Sequence, residues 1–173
     1  MAEESLRELR RKHNEERKEE MSSLITIMMS LAQRDCFPTD IMIKNVDQNG
    51  CVQDYQFDFA NPWYVSEPVS TIQSASVIIN DLTVKSEQIT IIIRDQKIPM
   101  MVARTFYELW WGFGEIAQIS FSGDSIPELK TGEKIDLEFH FNMRTTMNYG
   151  VKDNLAPYVM LKRLEVEQNE NRN

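Results

Sequence analysis

The feature that most constrains the fold of this chain is an alternation of apolar and polar residues, which begins near Thr39 and recurs as far as Val166. In its clearest run, residues 135–144, every second side chain is apolar. Neighbouring side chains of a β-strand point to opposite faces, so this run predicts a strand with one buried face and one face in solvent. We therefore expect the body of the protein to consist of β-strands.

Turn residues divide the alternating region into about seven to nine strands. Residues 40–46 and 52–59 form the first pair, and the Asn49-Gly50 dipeptide between them is a strong hairpin signal. Because most strands are joined by turns rather than by helices, the pattern favours an antiparallel sandwich or barrel over a parallel sheet.

One segment within the β-rich region departs from the alternation. Val102, Phe106 and Leu109 follow one another at intervals of four and three residues, the spacing of an apolar helix face. The segment 101–111 is therefore predicted to form a short amphipathic helix.

The N-terminal region has a different character. Residues 2–34 contain neither Gly nor Pro, and the first part is rich in Glu, Arg, Lys and Leu, which are strong helix formers. Residues 21–34 are mostly apolar, and a helix of that composition must bury most of its circumference. A long helix is expected, ending before Phe37-Pro38 because the residue preceding a proline disfavours helical geometry.

These patterns together predict a mainly β (α+β) protein. The expected organisation is an N-terminal helical arm over residues 1–36, an antiparallel β-sandwich or barrel with one short internal helix over 37–166, and a polar tail over 167–173. A chain of 173 residues is long enough for one such domain.

Charge and composition narrow the classes of partner. The net charge of −8 and the pI near 4.9 argue against binding to nucleic acid. Two cysteines cannot form a disulfide framework. The N-terminus lacks the apolar core of a signal peptide, and no apolar run reaches the ~20 residues of a membrane span. We expect a cytoplasmic protein, or one inside a particle assembled in the cytoplasm, with no membrane span.

Motifs for catalysis are weak. Asp136, Glu138 and His140 alternate on one predicted strand face, an arrangement that could bind a metal or place an acid beside a base. Asn142 and Arg144 continue the same polar face, so exposure to solvent explains all five residues without a ligand. The prediction is that the protein has no catalytic residues, metal or cofactor and is not an enzyme.

Aromatic and methionine-rich segments instead indicate contact surfaces. Two adjacent tryptophans, Trp110 and Trp111, cannot both face one core from a helix, so one is expected at an interface, where tryptophan is enriched. The predicted interface residues are Met21, Leu24, Ile25, Ile27, Met28, Leu31, Trp110 and Trp111.

The leading hypothesis is a non-catalytic assembly, adaptor or structural interaction protein, with a scaffold or virion component among the candidates. It would form a homo-oligomer or dock to a protein partner through the apolar N-terminal helix. The alternative is a carrier of an apolar small ligand or lipid in a cavity of the β-rich body. The residues expected to contact that ligand are Trp63, Tyr64, Phe106 and Phe113. A third possibility is an enzyme that uses Asp136, Glu138 and His140.

Overall fold

The computed structural model describes residues 36–63, 65–144 and 155–170 of the chain. Within these residues the chain forms eleven strands and four short 3₁₀ helices. The strands are β1 (Ile41–Val46), β2 (Val52–Ala60), β3 (Glu67–Pro68), β4 (Ile72–Ile79), β5 (Leu82–Val84), β6 (Ile89–Ile93), β7 (Gln96–Pro99), β8 (Trp110–Trp111), β9 (Ile116–Ser122), β10 (Lys134–Arg144) and β11 (Leu155–Glu170). The 3₁₀ helices are η1 (Val69–Thr71), η2 (Ser86–Gln88), η3 (Met100–Thr105) and η4 (Gly123–Ser125).

Nine of these strands form one sheet in the order β5-β4-β10-β11-β1-β2-β9-β6-β7, which curls into a half-barrel. Strands β3 and β8 form a separate two-stranded sheet. The predicted hairpin over residues 40–59 is confirmed as β1 and β2, and Gly50 adopts the left-handed φ of +78° that its turn requires.

The prediction of an antiparallel sandwich or barrel is wrong, because the half-barrel sheet is mixed. Strand β11 pairs antiparallel with β10 and parallel with β1, from Ile41 opposite Glu165 to Val46 opposite Glu170. Strands β1 and β11 are far apart in sequence, so no tight turn requires them to run antiparallel. Alternation identifies a strand but does not say which distant strand will lie beside it, so the parallel pair could not be predicted.

The predicted internal helix over residues 101–111 is also wrong. The chain forms the 3₁₀ helix η3, then an irregular segment, and then strand β8. The carbonyls of Phe106 and Leu109 accept hydrogen bonds from the backbone N–H groups of Ser70 and Val69, at 3.1 and 2.8 Å. The Phe106 carbonyl, which an α-helix would have bonded to the N–H of Trp110, therefore has its partner outside the segment.

The predicted long N-terminal helix lies outside the described residues. The part of the chain that is described holds only 3₁₀ helices, so a fold built on a long helix is not what the structure shows. At the other end, β11 continues to Glu170, beyond the strand predicted to end at Val166.

The core lies on the concave side of the curled sheet. Phe57 and Phe59 of β2 meet Phe139 of β10 edge-on, with ring centroids 5.4 and 4.9 Å apart. Strands β2 and β10 are separated in the sheet by β11 and β1, so their rings touch because the sheet curls. Phe37 covers the same cluster, 5.9 Å from Phe57 and 5.5 Å from Phe59. Aromatic pairs in this geometry add to the stabilisation from burial alone.

Two polar contacts complete the body. Ser86 of η2 uses its hydroxyl to bond both the backbone N–H and the carbonyl of Ala75 in β4, at 3.1 and 2.6 Å, where the β5 ladder stops. Across the core, the backbone N–H of Leu129 donates to the Tyr55 hydroxyl at 2.9 Å, while its carbonyl accepts from the buried Lys44 ammonium at 3.1 Å. Side chains of neighbouring strands thus fix the segment that leads into β10.

Candidate functional site

The strongest candidate site is a loop that displays large apolar side chains to solvent. We call residues 110–116 the aromatic loop. Trp110, Phe113 and Ile116 in this loop are exposed by 50%, 66% and 50%. Large exposed apolar patches mark interaction sites, whereas single exposed apolar residues are common, so three within seven residues make this loop a candidate.

Strand geometry explains why the two adjacent tryptophans differ. Trp110 and Trp111 form β8, opposite Pro68 and Glu67 of β3, so their side chains point to opposite faces. Trp111 is fully buried against Phe141, and its indole N–H donates to the carbonyl of Glu115 at 2.8 Å. Trp110 is therefore the member of the pair that solvent reaches.

Hydrogen bonds from the buried residue Asn61 hold the aromatic loop in place. Its side-chain amide donates to the carbonyls of Val65, Trp111 and Gly112, at 3.2, 3.0 and 3.0 Å. Its backbone N–H donates to the carbonyl of Glu115 at 3.0 Å. Asn61 is buried, and one residue thereby satisfies carbonyls at both ends of a turn that has no regular ladder.

An ion pair between Arg94 and Glu115 also holds the aromatic loop in place. The Arg94 guanidinium bonds both carboxylate oxygens of Glu115 at 2.7 Å, and its Nη2 also donates to the carbonyl of Trp110 at 2.9 Å. The Glu115 carboxylate accepts a further bond from the N–H of Gly112 at 2.7 Å. Burial alone would raise the pKa of Glu115, but the bonds from Arg94 and Gly112 outweigh it and lower that pKa.

Local backbone conformation supports this arrangement. Arg94 and Asp95 form the turn between β6 and β7 with φ values of 49° and 63°, and Gly114 at the tip of the aromatic loop has φ +66°. Few residues other than glycine and short polar ones adopt such values readily. The bonds from Arg94 to Glu115 and to the carbonyl of Trp110 join the two turns beneath the exposed side chains.

A groove lies beside the aromatic loop. It runs between the start of β7 and residues 105–109 and has a volume of about 520 Å³. Its lining residues are Gln96, Thr105, Phe106, Tyr107, Glu108 and Leu109. The Tyr107 side chain is 71% exposed, so the groove offers an aromatic face to solvent.

The polar face of β10, predicted from the alternating residues, holds one ion pair and one hydrogen bond between side chains. Asp136 accepts two bonds from Arg163 of β11 at 2.7 and 2.8 Å, and this pairing lowers the pKa of the Asp136 carboxyl. His140 bonds Glu138 on the same face. Among the described residues, no group of three or more His, Cys, Asp or Glu is arranged to hold a metal ion.

The other predicted site residues are distributed unevenly. Met21, Leu24, Ile25, Ile27, Met28, Leu31 and Tyr64 lie outside the described residues. Of the predicted interface residues that are described, Trp110 is exposed and Trp111 is in the core. Of the predicted ligand contacts, Trp63 and Phe106 are partly buried against the core, whereas Phe113 is exposed.

Three residues that organise the site, Asn61, Arg94 and Glu115, were missed. Asn61 and Trp111 are 50 positions apart, and Arg94 and Glu115 are 21 apart, so no local pattern connects them. Phe113, which was predicted as a ligand contact, stands between two glycines in a turn, where an apolar side chain has little chance of burial.

Comparisons with known proteins give this chain a family. A family model described as "C-glycoside deglycosidase beta subunit" matches residues 35–149, which is more than half of the chain. A comparison of the sequence with curated proteins found no match. In the described part of the chain, no helix has both the length and the apolar character that crossing a bilayer demands.

The family match corrects two predictions. The prediction that the protein is not an enzyme is wrong, because the family is a subunit of an enzyme system. A non-catalytic adaptor or structural protein does not fit that family either, whereas association with other protein subunits does. The chain belongs to the family of C-glycoside deglycosidase beta subunits.

Proposed function

We propose that this chain is the β subunit of a heteromeric enzyme that removes the sugar from C-glycosides, and that it binds its partner subunit through the aromatic loop. The family description supports the enzyme class and the existence of a partner. The observation that carries the choice of surface is the exposure of Trp110, Phe113 and Ile116 on a backbone that other residues hold in place.

The side chains of the aromatic loop suit a protein interface. Tryptophan, and aromatic residues generally, are enriched at the centres of interfaces and supply a large part of the binding energy there. The two charges at the base of the loop, Arg94 and Glu115, neutralise each other in a bidentate pair. A partner that covers the loop therefore meets apolar side chains without having to bury an unpaired charge.

The rigidity of the aromatic loop favours binding as well. Ordering a mobile loop on association costs free energy, and a loop that is already ordered avoids that cost. The bonds from Asn61, Arg94 and the Trp111 indole all reach backbone atoms of the loop, so its shape does not depend on a partner. Among the described residues, the core cluster does not include Trp110 or Phe113, so it does not require either side chain to be large.

Reconstitution of the enzyme tests the proposal. The full-length chain is mixed with the purified partner subunit of a C-glycoside deglycosidase, and release of the aglycone from a C-glycoside is followed by chromatography. We expect the mixture to release the aglycone and this chain alone not to. A partner subunit that is equally active without this chain, and that forms no complex with it in light scattering, would refute the proposal.

Substitution locates the contact. In the double variant Trp110→Ala, Phe113→Ala we expect affinity for the partner to fall by about 30-fold or more, the loss typical of hot-spot residues. Leu161→Ala is the matched control, because Leu161 on β11 is also 66% exposed but lies away from the aromatic loop. Equal losses in the double variant and the control would contradict the assignment of the surface.

Two earlier expectations stay predictions. A chain that lacks residues 1–34 tests the predicted interface residues Met21, Leu24, Ile25, Ile27, Met28 and Leu31, since loss of partner binding on truncation would implicate them. The cytoplasmic location is likewise a prediction.

A further inference from the structure

We infer that the groove beside the aromatic loop binds part of the C-glycoside, so that this chain contributes to substrate recognition at the edge of the subunit contact. This inference rests on the proposed function, because the ligand class comes from the enzyme class. The ligand we assign is a polyhydroxylated sugar joined through carbon to a flat aromatic ring.

The walls of the groove are fixed. On one side, the backbone of Phe106 and Leu109 is bonded to Ser70 and Val69. On the other side, Gln96 follows the β6–β7 turn. That turn is held in place because its Arg94 side chain donates a hydrogen bond to the carbonyl of Trp110. The groove therefore keeps its shape without a ligand, as small-molecule sites generally do.

The chemistry of the groove matches a ligand with both flat apolar and hydroxylated parts. The exposed ring of Tyr107 is a surface on which an aromatic ring or the apolar face of a sugar can stack. Gln96 offers an amide that donates and accepts, and Glu108 offers a carboxylate that accepts from hydroxyl groups. Among the described residues, the side chains of Gln96, Tyr107 and Glu108 make no hydrogen bond or ion pair that would occupy them.

Size and position agree with this assignment. The volume of about 520 Å³ lies within the range of small-molecule sites. Leu109 lines the groove and Trp110 follows it in the chain, so a partner that covers the aromatic loop also forms a border of the groove. Ligand sites are common where two folded units meet.

Kinetics of the assembled enzyme test the inference. In Tyr107→Ala we expect KM for an aromatic C-glucoside to rise by about three- to tenfold, the effect of losing one aromatic contact, while kcat changes less than twofold. Tyr107→Phe retains the ring and should restore the KM. Glu108→Gln should raise KM as well, because the carboxylate is lost. The controls are Leu161→Ala and Glu87→Gln, two exposed residues outside the groove.

Binding to this chain alone separates the parts of the ligand. The full-length chain is titrated by NMR with an aromatic C-glucoside, with glucose and with the free aglycone. Shifts in the groove residues with the C-glucoside and the aglycone, and weaker ones with glucose, are expected if Tyr107 stacks on the aromatic ring. An unchanged KM in an assembled Tyr107→Ala enzyme would overturn the inference and leave the proposed function intact. Loss of assembly in that variant would also overturn it, since the groove would then belong to the subunit contact.

Discussion

Asn61→Ala is the most informative single change to the support of the aromatic loop. The substitution removes the amide that bonds the carbonyls of Val65, Trp111 and Gly112. It also removes the side-chain oxygen that accepts the backbone N–H of Trp63 at 2.8 Å. The backbone itself is not required to change, because alanine can adopt the same conformation.

The size of the effect follows from the burial of these bonds. The bond to Trp111 is buried, and a buried carbonyl left without a donor costs about 1–3 kcal/mol. The bonds to Val65 and Gly112 are partly buried, so water replaces the amide there at a cost of about 0.5–1 kcal/mol each. We expect the free energy of unfolding to fall by about 2–5 kcal/mol.

Urea denaturation followed by tryptophan fluorescence measures this loss, because Trp110 and Trp111 lie beside the bonds that are removed. With a slope of about 2 kcal/mol per M, which is usual for small domains, the midpoint should decrease by about 1–2.5 M urea. Gln118→Ala is the control, since Gln118 carries the same amide group but is exposed in β9, and its loss should change stability by less than about 0.5 kcal/mol.

Asn61→Asp would refute the reasoning if it were harmless. Aspartate has the shape of asparagine, but at neutral pH it only accepts hydrogen bonds, so its carboxylate would face three carbonyl oxygens. We expect Asn61→Asp to be less stable than Asn61→Ala at pH 7 and to recover part of the loss in acid. An aspartate variant as stable as the original chain would show that the amide does not donate to the aromatic loop.

Two further predictions concern titration. The pKa of Glu115 is lowered in the folded chain, so its ion pair with Arg94 stabilises the aromatic loop at pH values above the ordinary carboxyl pKa. This stabilisation is lost as the pH falls through the lowered pKa. Tryptophan fluorescence between pH 7 and 2 should therefore show a transition that Glu115→Gln removes. Burial raises the pKa of Tyr55, so ionisation favours the unfolded chain and stability should decrease above about pH 10. Tyr55→Phe should weaken this decrease, and at neutral pH it should cost about 1–2 kcal/mol because the bond to Leu129 is lost. Urea denaturation at several pH values measures both effects.

The strands could be predicted where their signal is local. The alternation over residues 135–144 corresponds to β10, and the Asn49-Gly50 turn joins β1 and β2. In each case one buried face and a tight turn act within about ten residues of sequence. Such patterns predict strands reliably because the alternation places apolar side chains on one face, and burial of that face stabilises the strand.

The candidate site could not be predicted in the same way. The helix expected over residues 101–111 failed because carbonyls of that segment bond to η1 rather than within a helix. The pairs Asn61–Trp111 and Arg94–Glu115 depend on how distant turns meet, which one sequence does not reveal. One of the two adjacent tryptophans was predicted at an interface from helical rotation, but strand alternation is what exposes Trp110 and buries Trp111.

The position of β11 bears on how this protein is made. Strand β11 separates β5, β4 and β10 from the other five strands of the half-barrel sheet, so without it these two groups share no ladder. During synthesis, β1 and β10 leave the ribosome before β11 and present unpaired backbone edges until the last strand arrives. Such edges readily pair with other chains. Once β11 is complete, the nascent protein no longer exposes these two edges. Chains that stop before β11 would keep both edges exposed and would need to be bound by chaperones.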